Sequence, residues 1–276
     1  MRNRIIVALI CVPVFFVVLF FLPDYILAAV ISIICAVIAY ELIHVIAPKG
    51  NERTRIYAVF SAALIPIGAY FNISATVFPA VFLTLMCLMF IEAIIAYKTI
   101  RKITFAQILI TLFGGTLIPL MLSSLVSLRI LPGGRLLVLL PVISAFITDG
   151  GSYFIGMLLG KHRAFPLVSP KKTVEGCIGG LVVGTLAIII YGVVLLFTTL
   201  NGVMFWALLI YGVTGAILTE LGDLAFSLVK REYDIKDYGR LLPGHGGILD
   251  RFDSMIFAAP AMHLLVLVIP AIIIRQ

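Results

Sequence analysis

The sequence predicts an all-α polytopic membrane protein with about nine transmembrane helices, the N-terminus in the cytoplasm and the C-terminus outside. Three observations predict it. Of 276 residues, 62% are hydrophobic and only 12% charged, with a mean hydropathy of +1.21, whereas soluble chains carry about 25% charged residues. The apolar residues fall in long uncharged runs, and about 20 in a row cross a bilayer as a helix. The runs are apolar on every side, as in Val17-Val18-Leu19-Phe20-Phe21-Leu22, where the strands of a transmembrane barrel would alternate with period two.

Charges, or Pro, Gly and Asn, bound these spans at 5–22, 25–47, 56–72, 76–97, 104–127, 136–159, 177–199, 202–221 and 254–274. The first follows Arg2 and Arg4 as a signal-peptide core would. No small-x-small cleavage site follows it, and Pro23-Asp24 leads straight into the next run, so it reads as an uncleaved helix. Sorting Lys and Arg by connection places 17 on one face and only Arg129, Arg135 and Arg275 on the other, with none inside a span. The positive-inside rule makes the first face cytoplasmic. Basic segments beside anionic headgroups contribute about 1 kcal/mol per residue, so the net charge of +7 requires no nucleic acid. Cys11, Cys35, Cys87 and Cys177 are isolated, with no C-x-x-C pair, which argues against a disulfide framework or a zinc site. Residues 1–130 are transmembrane helices without a recognisable motif. Residues 131–276 carry the chemistry, on helices and two long cytoplasmic loops, 160–176 and 222–253; loops of that length are usually functional or disordered.

In the second loop the polar residues fall into a pattern. If the eighth helix runs past the membrane edge, Asp223, Ser227 and Lys230 share one face at i, i+4 and i+7. Leu242-Pro243-Gly244-His245-Gly246-Gly247 must turn sharply, and its glycines allow backbone N–H groups to approach an anion. A helix start follows, with Asp250 and Asp253 one turn apart and Arg251 beside them. Two such carboxylates next to a glycine-rich turn suit Mg²⁺, which takes one or two carboxylates plus substrate phosphate oxygens. Each residue also has a plainer explanation. Acids at a helix N-terminus offset the macrodipole, and basic cytoplasmic loops are general to membrane proteins. The joint occurrence is what points to a site.

Together, Ser227-x-x-Lys230-Arg231, Lys236-Asp237, Pro243-Gly244-His245-Gly246-Gly247 and Asp250-Arg251-x-Asp253-Ser254 resemble the signature of the phosphatidate cytidylyltransferase family. Upstream, Gly160-Lys161-His162 and Ser169-Pro170-Lys171-Lys172-Thr173-x-Glu175-Gly176 resemble that family's other loop, so the resemblance spans roughly the C-terminal half. Val174 stands where the family usually has an aromatic residue, and Asp149 is followed by Gly rather than a hydroxyl residue. The resemblance implies an enzyme that joins CTP to phosphatidic acid with Mg²⁺, giving CDP-diacylglycerol and pyrophosphate, from the cytoplasmic side of the cell's inner membrane. Its partners would be CTP, phosphatidic acid and membrane lipid; a second metal ion and a homodimer are left open. A lipid phosphate is already ionised at pH 7 and needs no general base, so the task is to neutralise and align two anions. Asp223 and Asp250, then Asp253, are the expected metal ligands. Lys230, Arg231, Arg251, Lys171 and Lys172 are the expected clamps, with Ser227, Lys236, Gly246 and Gly247 beside the substrates and His245 either on phosphate or stabilising the turn.

Two other motifs fail. Gly156-x-x-x-Gly160-Lys161-His162 is one spacer short of a phosphate-binding P-loop and lacks its Ser/Thr. The Asp-Gly-x-x-Ala-Arg start of CDP-alcohol phosphotransferases is absent. Asp149, about ten residues from the cytoplasmic end of the sixth span, lies about 15 Å deep at 1.5 Å per residue; an acid there should face a polar cavity or a partner. Ser152, Tyr153 and Gly156 continue its face, forming a strip along which a lipid phosphate would reach CTP. Glu41 with His44, and Glu92, lie near cytoplasmic span ends, within reach of headgroups. An ion-coupled transporter using Asp149, Glu41 and Glu92 as relay acids is the alternative function. The concentration of Asp, Lys, Arg and Gly in 222–253 favours the enzyme.

Overall fold

The computed structural model describes residues 13–46, 52–98, 102–198, 202–239, 241 and 246–273. It is almost wholly helical: α1 (Asp24–Ile46), α2 (Glu52–Tyr70), α3 (Ser74–Ala96), α4 (Phe105–Ile130), α5 (Gly134–Leu159), α6 (Val174–Thr198), α7 (Phe205–Glu232) and α8 (Leu249–Val268). Seven of these are long and apolar enough to cross a membrane, against the nine spans expected from sequence. The exception is α2. It opens on Glu52-Arg53-Thr54-Arg55, so its uncharged part begins only at Ile56 and falls short of the roughly 20 residues that a crossing takes. The expected first span is described only from residue 13, with a helix over 13–20.

The chain forms two compact units, Met1–Ile130 with Ile235–Phe252, and Leu131–Asp234 with Asp253–Gln276. In the first, α1 packs on α2 and α4, and α2 also packs on α3. Helix α4 starts with a capping box, in which the Gln107 N–H donates to Thr104 Oγ1 at 3.3 Å and the Thr104 N–H to Gln107 Oε1 at 2.9 Å. At its far end the buried Arg129 pairs with Asp24 Oδ1 at 2.8 Å and donates to the carbonyls of Leu19 and Leu22 at 3.1 Å. That brings the residues just before α1 and the last turn of α4 to the same end of the unit. At the other end Glu92 accepts from Tyr57 at 3.0 Å and pairs with Arg53 at 3.6 Å.

In the second unit α5, α6 and α7 pack together. Small residues permit this: a Cβ on Gly151 would lie 2.9 Å from the Val183 side chain, and one on Gly176 would lie 2.8 Å from the Ser152 carbonyl. Close backbone approach through glycine is how helices pack where lipid removes the usual hydrophobic drive. Two short antiparallel pairs modify the all-α expectation. Strand β1 (Arg163–Phe165) pairs with β2 (Ser169–Thr173), turning the first predicted loop into a hairpin. Strand β3 (Gly202–Val203) pairs with β4 (Ile272–Ile273), which joins the connection before α7 to the segment after α8.

Candidate active site

Helix α7 runs to Glu232, past the expected span end at 221. Asp223, Ser227 and Lys230 therefore sit on one continuous helix, with Ser227 and Lys230 buried. Asp223 opens into a cavity of about 620 Å³ in the second unit, walled by the β1–β2 hairpin and the ends of α5 and α6. Asp149, Ser152, Tyr153 and Gly156 all line it, as do Lys161, Arg163, Lys171 and Lys172. The polar strip on α5 thus faces a basic rim.

At the cavity's inner wall Lys172 Nζ lies 2.7 Å from Asp223 Oδ2 and 2.5 Å from Glu220 Oε2. Ser152 Oγ donates to the other oxygen of Glu220. Burial disfavours the Lys172 ammonium, but the carboxylates of Asp223 and Glu220 more than offset it and hold its pKa well above the ordinary lysine range. Deeper, Ser254 Oγ donates to Asp149 Oδ2 at 2.9 Å, and the Ser254 N–H to Asp253 Oδ1 at 2.8 Å. The buried Asp253 is within electrostatic reach of Asp223, Lys230 and Asp149. Gly222 makes this closeness possible, since a Cβ there would lie 2.6 Å from the Asp253 carbonyl oxygen.

Other predicted residues take structural partners. Arg231 Nε donates to the Val168 carbonyl at 3.1 Å, tying α7 to the hairpin. Lys171 is exposed at the rim, and its carbonyl accepts from Arg163 at 3.2 Å. Glu175 binds the backbone N–H groups of Lys161 and His162 at 3.1 and 3.2 Å and the His162 ring at 2.6 Å, fixing the hairpin's base.

In the first unit, Asp250 Oδ2 accepts the N–H groups of Tyr238 and Gly247, both at 2.9 Å. Gly246 adopts a left-handed φ of +84°, and a Cβ there would lie 2.9 Å from the same oxygen. The turn therefore directs its Gly247 N–H at the protein's own carboxylate, where the sequence suggested a substrate anion. Lys236 and Arg251 are exposed, and His245 lies outside the described residues. Glu41 does not reach for headgroups. It is 5% exposed and accepts the N–H groups of Ile248 at 3.0 Å and Leu249 at 2.9 Å. With Glu92 also paired, neither acid has the open environment that a relay needs.

Sequence reasoning missed Glu220 and the partners of Glu41. Glu220 was within reach, because extending the Asp223, Ser227, Lys230 stripe one turn back meets it at i−3. Nothing local marks Glu41, whose partners lie 207 and 208 positions away.

For a magnesium ion the donor chemistry fits. Asp149, Glu220, Asp223 and Asp253 are hard oxygen donors of the kind Mg²⁺ takes, and an ammonium already stands between two of them. Among the described residues no group of three or more His, Cys, Asp or Glu side chains is arranged to hold a metal ion.

The sequence matches the cytidylyltransferase family over residues 2–269. The chain belongs to the cytidylyltransferase family. Within that family it is 43% identical over 130 residues to phosphatidate cytidylyltransferases of Staphylococcus saprophyticus and Staphylococcus haemolyticus, and 42% identical to that of Staphylococcus aureus. Each match covers 47% of this chain and 48% of the relative, so the chain spans about half the length of the curated relatives it matches.

Proposed function

We propose that this cytidylyltransferase-family chain transfers a cytidylyl group from CTP to phosphatidic acid, forming CDP-diacylglycerol and pyrophosphate. The observation that carries the reading is the second unit's cavity, where a rim of Lys161, Arg163 and Lys171 stands over the Lys172–Asp223–Glu220 cluster. It offers cations to phosphate groups at the rim and carboxylates to a metal at the wall. The names of the staphylococcal relatives supply the substrate pair.

The lipid phosphate is the nucleophile; it attacks the α-phosphorus of CTP, and the bond to the pyrophosphate oxygen breaks. No residue need remove a proton. Mg²⁺, when bound, would neutralise phosphate charge. Asp223 and Asp253 in the second unit are its proposed ligands, while Asp250, also assigned to Mg²⁺ by the sequence pattern, holds the glycine turn in the first unit. Lys171 and Arg163 bind phosphate oxygens at the rim. Asp149, held by Ser254, keeps a polar lane open along α5 for a headgroup leaving the bilayer. The proposed setting is the inner membrane, with the hairpin and the 222–253 segment cytoplasmic; residues 5–22 and α2, its charged first turn lying among the headgroups, would bring the spans to nine.

Incubation of the purified protein with CTP, phosphatidic acid and Mg²⁺ tests the reading. CDP-diacylglycerol and pyrophosphate should appear in equal amounts. Hydrolysis of CTP without a lipid product, or no turnover by folded protein, would refute it.

A further inference from the structure

We infer that Glu41 is a positioning residue for this reaction: from the half of the chain that carries no motif, its carboxylate fixes the start of α8 and the segment leading into it. The inference rests on the functional reading above, in which Asp253, one turn along the same helix α8, is a proposed metal ligand.

A helix leaves its first four N–H groups without internal partners. They are commonly satisfied by a side chain beside the helix start. Here Ile248 and Leu249 give their N–H groups to the two oxygens of one carboxylate on α1, at 3.0 and 2.9 Å. An ionised acceptor makes such bonds shorter and roughly twice as strong as neutral ones. Because that carboxylate lies more than 200 residues away in sequence, the cap is a tertiary tie as well as a local one.

The segment is shaped around this carboxylate. A Cβ on Gly239 would lie 2.7 Å from Glu41 Cδ, and one on Gly247 would lie 2.6 Å from it. A side chain at either position would press on the Glu41 carboxylate, which would have to shift from its present place. From the other side Asp250 takes the N–H groups of Tyr238 and Gly247. Two carboxylates thus engage four backbone donors between residues 238 and 249. They lie close enough to repel one another, and the donors and the positive end of the helix offset that repulsion. Removing Glu41 would leave two backbone donors unpaired and release the segment on one side. A displacement of about 1 Å at a reacting group can cost 100-fold in rate.

The experiment uses the full-length protein in lipid nanodiscs. Glu41→Ala removes both acceptors. Glu41→Gln keeps one and turns an amide NH₂ toward a backbone donor. Turnover with CTP and phosphatidic acid is measured per folded protein, alongside amide hydrogen exchange. The expected result for Glu41→Ala is a fall in kcat of at least tenfold, with KM for either substrate changed less than threefold. Exchange over 246–250 should be at least tenfold faster and exchange in α6 unchanged; Glu41→Gln should fall between the two proteins in both readouts. A kcat within twofold of wild type in Glu41→Ala, or unaltered exchange over 246–250, overturns the inference. If the alanine variant does not fold, the glutamine variant decides by the same two readouts. Wild-type protein that makes no CDP-diacylglycerol would refute the functional reading, and the exchange measurement would still decide whether Glu41 holds the segment.

Discussion

Removing the Lys172 ammonium leaves Glu220 and Asp223 one turn apart on α7 with no positive charge between them. Deleting one partner of a fully buried pair costs about 3–5 kcal/mol because the remaining charge is uncompensated; in this part-buried cluster water screens the charge and the cost is smaller. Lys172→Met should therefore lower the thermal midpoint and reduce kcat at least 100-fold, the scale lost with one electrostatic contact to developing charge. Glu220→Gln should cost less in both, since Asp223 still faces the ammonium at 2.7 Å. A melting scan with a turnover assay checks the pair, and equal losses in the two variants would contradict this division of labour. The pairing also fixes a pH response. A lysine whose folded pKa is raised contributes stability that is complete below its unfolded value, about 10.4, and is lost only as pH rises through the higher folded value. Between pH 6 and 9, kcat/KM should show no alkaline limb that disappears in Lys172→Met.

At the scale of elements, the contact between the helices carrying Asp223 and Asp253 depends on the missing side chain at Gly222. Alanine there would place its Cβ 2.6 Å from the Asp253 carbonyl oxygen and 3.0 Å from Ser254 Cα. Both are backbone atoms, so the helices must separate. Overpacking of this kind costs about 1–3 kcal/mol. Gly222→Ala should lower both stability and turnover, and a variant indistinguishable from wild type in both would show that the helices tolerate a wider spacing. The same scale explains what the sequence made legible. Helix α7 was readable because Asp223, Ser227 and Lys230 recur at helical spacing, and extending that stripe would have added Glu220. The hairpin was not, because Ser169-Pro170-Lys171-Lys172-Thr173 has none of the alternation that marks a strand. It is held instead by Glu175 at its base and by Arg231 on the Val168 carbonyl. Helix α2 looked like a span by its apolar run, and its charged first turn shows only when the whole helix is considered. Glu41 was legible as an acid near a span end but not as a buried cap, since its partners are brought to it only by tertiary folding.

For the molecule in its membrane, the sidedness of the charges makes the next prediction. Within the first unit, a cysteine at Lys98 should react with an impermeant reagent only from the cytoplasmic side, and one at Ile73, across α3 from it, only from outside; reaction of both from one side would defeat the alternation. Membrane geometry also separates chemistry from lipid delivery. In the proposed reaction a lipid phosphate has to leave the headgroup layer, and the cavity lined by Asp149, Ser152, Tyr153 and Gly156 would give it a polar route. A polar group deep in a span is costly unless it faces water or a partner, and Asp149 has both the cavity and Ser254. In the proposed reaction only an acceptor anchored in the bilayer needs the lane, whereas the electrostatics around Asp223 would be needed for every transfer. Asp149→Ala should therefore depress kcat/KM at least tenfold more for membrane-embedded phosphatidic acid than for a short-chain, water-soluble analogue. Asp223→Asn should depress both by the same factor. Comparing the two acceptors within each variant cancels general damage to the fold, because the ratio of kcat/KM values is a difference of transition-state free energies measured on one protein. Equal losses on the two acceptors in Asp149→Ala would move this acid from the lipid's path into the reaction centre or the packing of α5.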